Sequence, residues 1–155
     1  MRFSGDLRGR DFAGADLRGA VFRDADLYRA RFAGGSLEGA VLDGCFAAET
    51  DFSGARCAGI RALRTSFYRA CFRGAELQGA VFEACVLAQA DLRGATLEKL
   101  TLTLDCHTFE EVQLDRVSSA KLAYLFGRAA TPHRKRWINV IGERDWARLG
   151  RIFAR

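Results

Sequence analysis

Proline is almost missing from this chain: Pro132 is the only one in 155 residues. With 49% hydrophobic residues as well, nothing suggests a disordered or linker-like polypeptide, and the length suits one domain. Histidine occurs twice and the five cysteines show no CxxC spacing, so no zinc-ligand pattern is present and no cofactor is expected. The glycines open no phosphate-binding helix. No apolar run approaches the roughly 20 residues that a membrane helix needs, and no signal-peptide pattern follows Met1, so a cytoplasmic location is expected. Asp105, Cys106 and His107 are adjacent, but neighbours on an extended chain point to opposite sides. A nucleophile–base pair is thereby disfavoured, and no enzyme activity is expected.

What the chain does have is a five-residue period. Thr65 to Lys99 divides without remainder into TSFYR, ACFRG, AELQG, AVFEA, CVLAQ, ADLRG and ATLEK. The third position is Phe or Leu throughout, the first is usually Ala and the last often Gly. Five fits neither a helix nor a flat strand, so the chain must turn a corner once per unit. Positions one and three lie two residues apart and share a face on an extended backbone, which directs a small and a large apolar side chain inward. Gly at position five suits a bend that needs positive φ.

The number of corners per turn is also written in the chain. Phe12, Phe32, Phe52 and Phe72 recur at intervals of twenty with Leu92 next, and Val21, Val41 and Val81 differ by multiples of twenty. Twenty residues make four sides, with like residues stacked in columns. The units ADLRG, AELQG and RDFAG resemble those of the pentapeptide-repeat proteins. That resemblance implies an all-β solenoid, a right-handed quadrilateral β-helix of pentapeptide repeats, here with a C-terminal α-helical segment. It covers about two-thirds of the chain and speaks to fold more than to function.

From Leu7 to Leu102 the large inward site recurs twenty times, as ten Leu, seven Phe and the exceptions Ala47, Cys57 and Ala62. Twenty sides make five turns, roughly 24 Å of coil at strand spacing. The exceptions fall in one turn, Cys45 to Arg64. Ile60 and Ala62 exchange large and small places, whereas nothing equivalent offsets Ala47 beside Phe46. A bulge that rotates Phe46 inward is expected, the alternative being an outward Phe46 that contacts a partner. Cys45 and Cys85 take small inward sites about 9.6 Å apart, too far for a disulfide, and act as apolar fillers. The Val21, Val41 and Val81 stripe reflects either β-propensity or packing against another subunit or the C-terminal segment.

The repeat decays after Leu102, although Val112, Val117 and Leu122 keep the count of five for one ragged further turn. The solenoid is assigned to 1–118 and a helical segment to 119–155. Thr131-Pro132 is a helix start signal, and Trp137, Ile141, Trp146, Leu149 and Phe153 fall on one broad helical face. That face either caps the last coil or, as in relatives of the resembled family, forms a homodimer. At the other end, either Phe3 folds over the first turn or that end meets another molecule. Residues 1–106 carry fourteen basic and fourteen acidic side chains and 107–155 carry ten and five, which gives the net +5. Arg134, Lys135 and Arg136 begin a basic run that reads as a solvated helix face, with nucleic-acid or membrane binding disfavoured.

The resemblance also implies a protein partner. One candidate is DNA gyrase or topoisomerase IV, protected from inhibitors by a DNA-mimicking rod; the other is an interaction or immunity scaffold. No sustained acidic face emerges from the columns, which lowers the mimic reading. If the tail carries the dimer, truncation after about Thr131 leaves a monomer in sedimentation; an unchanged mass rejects that expectation.

Overall fold

In the computed structural model the described residues are 1–102 and 112–115. Expectations for 119–155, among them the helix, its apolar face and the basic run, lie outside them. Six short strands form one parallel sheet in chain order: β1 (Arg2–Asp6), β2 (Val21–Asp26), β3 (Val41–Asp43), β4 (Arg61–Leu63), β5 (Val81–Glu83) and β6 (Thr101–Leu102). From β2 onward each strand pairs with the residue twenty positions ahead, as in Val21 with Val41 and Arg61 with Val81. Three further columns are built from single bridges at the same interval, including Asp26–Phe46–Ser66–Val86, Asp11–Arg31–Asp51–Cys71–Asp91 and Asp16–Ser36–Arg56–Glu76–Thr96. Four sides and a twenty-residue turn follow directly. The strand side is called side 1 here, and the three bridged columns, taken in the order just given, sides 2, 3 and 4.

Corners occur where the fifth position requires them. All residues of the fifth column from Gly9 to Lys99 have positive φ, eight of them not glycine. An L-residue in that region carries a penalty of roughly 1–2 kcal/mol, so the surrounding bonds must hold it there. They do so in two layers. Within a turn, the amide after the corner donates to the carbonyl three residues back, as in Ala30 to Leu27 at 2.9 Å and Ala80 to Leu77 at 3.0 Å. Between turns, the corner residue donates to the turn above, as in Arg29 to Ala48 at 3.1 Å.

The lumen is apolar apart from the buried threonines Thr50 and Thr65 at small inward sites. Phe12, Phe32, Phe52 and Phe72 stack with centroids 5.0, 5.0 and 4.9 Å apart and planes within 10°, and Leu92 continues the column. Alternating Ala at the small site lets these rings sit at strand spacing. The undersized turn is filled from above: Phe67 stands over Ala47 in its column, and its ring meets Phe52 edge-on at 6.0 Å. Ile60 and Ala62 are both fully inside, which fits the exchange of volumes read from the sequence.

Three details depart from the sequence reading. There is no bulge at Phe46: it keeps register with Asp26 and Ser66, points outward and is 50% exposed, while Ala47 takes the inward site. Because Phe67 supplies the missing volume, the backbone had no reason to shift. Second, β1 pairs with β2 at an interval of nineteen at Phe3–Phe22 and twenty at Gly5–Ala25. Phe3, half-buried, is stacked 4.7 Å over Phe22 and packs on the core, so it folds over the first turn, one of the two expectations for that end. Third, the count of five does not reach Val112. Gln113 pairs with Asp91, so Val112 fills a small inward site and Leu114 packs on the core, two residues out of phase.

One corner per turn is built differently. On side 1 the ladder extends through three residues, and the amide of Cys45 donates instead to the Thr65 hydroxyl at 3.3 Å. That hydroxyl lies 2.9 Å from the Leu63 carbonyl and 3.3 Å from that of Leu42. The thiols of Cys45 and Cys85 donate in the same way to Phe22 and Ala62, at 3.4 and 3.5 Å. These cysteines are thus donors lining a wide corner as well as fillers. Burial raises the Cys45 pKa and pushes the Cys57 thiol up to about 12, so neither behaves as a reactive thiolate.

Two substitutions test this account by chemical denaturation. Phe72→Ala is expected to cost about 3–5 kcal/mol through the cavity it leaves. Thr65→Val keeps the shape but orphans a buried amide, and is expected to cost about 1–3 kcal/mol; no change would mean the corner is satisfied in another way.

Candidate interaction surface

Outward positions decide what a closed coil can do, because its lumen is full. On sides 3 and 4 most of the charge is spent on neighbours. Asp16 and Arg18 meet at 2.6 Å, Asp91 and Arg93 at 2.6 Å, Arg31 and Asp11 at 3.1 Å, and Arg56 and Glu38 at 3.3 Å. Aspartates at the second position also accept the amide two residues on, as Asp51 does from Ser53 at 2.9 Å and Asp11 from Ala13 at 2.9 Å. The acidic groups thus brace their own corners and leave no sustained negative face. Side 1 carries the valine stripe, but Val21, Val41 and Val81 are half-buried and Arg61 interrupts them.

Side 2 is different. Its second-position column reads Asp6, Asp26, Phe46, Ser66, Val86, and its fourth-position column reads Arg8, Tyr28, Ala48, Tyr68, Ala88. Phe46 stands 6.3 Å from the ring of Tyr28. Ala48, between the levels of Tyr28 and Tyr68, is 3% exposed and so is covered by the side chains around it. Both tyrosines are held by their next residue: Arg29 lies over the Tyr28 ring at 4.9 Å and Arg69 over the Tyr68 ring at 5.0 Å. Glu49 accepts from Arg29 at 2.8 Å and from the Tyr28 hydroxyl at 3.3 Å, while Arg69 donates to Gln89 at 2.6 Å. The patch is therefore rigid before any partner arrives.

The residues singled out from the sequence thus fall in three places. The core ladder from Phe12 to Leu92 is assembled inside the coil. Phe46 and the valines face outward on adjacent sides. The tail residues lie outside the described ones. Sequence reading missed Tyr28 and Tyr68, although their forty-residue interval on the column of Ala48 is visible in the chain. Among the described residues no group of three or more metal-ligating side chains is found, and no helix is long and apolar enough to cross a membrane. A shallow groove lined by Arg69, Cys71, Gln89, Asp91 and Gln113 lies near the shifted last turn.

A parallel solenoid with four sides, corners at every fifth residue and a stacked Phe column defines a quadrilateral β-helix. The chain belongs to the pentapeptide-repeat family: the family model, "Pentapeptide repeats", matches eight copies over residues 6–39, 48–83 and 65–103. Among solved structures, a pentapeptide repeat protein, Rfr23, from the cyanobacterium Cyanothece 51142 is 27% identical with a TM-score of 0.36. That alignment covers 66% of this chain and 61% of the cyanobacterial one. Trypsin-treated QnrB1, described as a plasmid-mediated fluoroquinolone resistance protein, is 18% identical over 84% of this chain and 97% of its own, with a TM-score of 0.41. Its full-length form is 23% identical over 76% and 73%, with a TM-score of 0.39. No curated protein matches the chain.

The surface pairs make a pH prediction. The Arg8 guanidinium holds the Asp6 pKa at about 2, and Arg18 does the same for Asp16. A lowered carboxyl contributes stability that is complete above its ordinary value of 3.8 and is lost as pH falls through about 2. Carboxyl titration by NMR at low salt is expected to place both midpoints near 2; midpoints near 3.8 would mean the pairs do not persist in water.

Proposed function

We propose that this protein is a non-enzymatic scaffold that binds a protein partner through side 2. The observation that carries the reading is Phe46, outward and 50% exposed beside the half-buried Tyr28 ring at 6.3 Å, with Tyr68 half-buried on the same side. Aromatic anchors of this kind dominate the energy of protein interfaces, and a rigid patch loses little entropy on binding. An immunity or self-resistance role is one use of such a scaffold.

Protection of DNA gyrase or topoisomerase IV is the second reading, and it rests on family membership. Imitation of duplex DNA would require a negative surface, whereas the acidic groups here are largely matched by arginines. Topoisomerase binding would therefore run through the aromatic side. The tail expectations remain proposals too: Trp137, Ile141, Trp146, Leu149 and Phe153 as a cap or dimer face, and Arg134, Lys135 and Arg136 as a solvated polar face.

A gyrase supercoiling assay with and without a fluoroquinolone is the direct measurement. Under the scaffold reading, relief of inhibition is absent; relief that is reduced at least tenfold in potency by Phe46→Ser would establish the topoisomerase reading on this side. For any partner captured, Phe46→Ser is expected to weaken binding by about tenfold or more, and unchanged affinity would remove side 2 from the function.

A further inference from the structure

We draw no further inference here: the strongest candidate, the groove at the corner of sides 2 and 3 lined by Arg69, Cys71, Gln89, Asp91 and Gln113, carries nothing, because Arg69 is bonded to Gln89 and Asp91 to Arg93, and what remains is the single half-buried thiol of Cys71, which by itself defines no ligand.

Discussion

The architecture depends on a reversal of backbone hand once every five residues. Nineteen successive fifth positions adopt it, and the eight that are not glycine show that the fold does not rely on intrinsic preference alone. Arg29, Glu49 and Arg69 are left-handed because their amides are fixed to the turns above and their neighbours are locked in the lumen. The same reversal lays each side chain over its counterpart in the next turn. Stacked rings and paired charges at intervals of twenty are both consequences of that superposition.

Much of this was legible in the chain because inward positions obey a strict rule. A period of five, with a large group at one phase and a small one at another, leaves few solutions once the columns repeat at twenty. Outward positions obey no such rule, and there legibility falls away. The placing of Tyr28 and Tyr68 one level below and above the covered Ala48 becomes visible only when neighbouring turns are superimposed. Phe46 was misjudged for a related reason: volume missing at Ala47 was sought within its own turn, while Phe67 supplied it from the next. The wide corner was hidden because Thr and Cys at a small inward site look like fillers until their hydrogen-bond partners are located. The phase of Val112 was misread because the last interval is twenty-two.

Surface chemistry divides between local bracing and exposure. Aspartate at the second position accepts the amide two residues on and often an arginine beside it, so the acidic groups of the coil serve its own corners. What is left for other molecules is concentrated where that pattern lapses. In the second-position column of side 2, aspartate stops at Asp26 and gives way to Phe46, Ser66 and Val86.

The twenty-residue interval has a bearing on how such a chain can change length. Gain or loss of a whole turn translates everything beyond it by about 4.8 Å without rotation, so each side keeps its membership and merely grows or shrinks. Gain or loss of a single repeat unit preserves the lumen equally well but carries every later residue round by a quarter turn. Two lineages that differ by one unit would then share a core and expose unrelated surfaces, with the aromatic patch of one broken across two sides of the other.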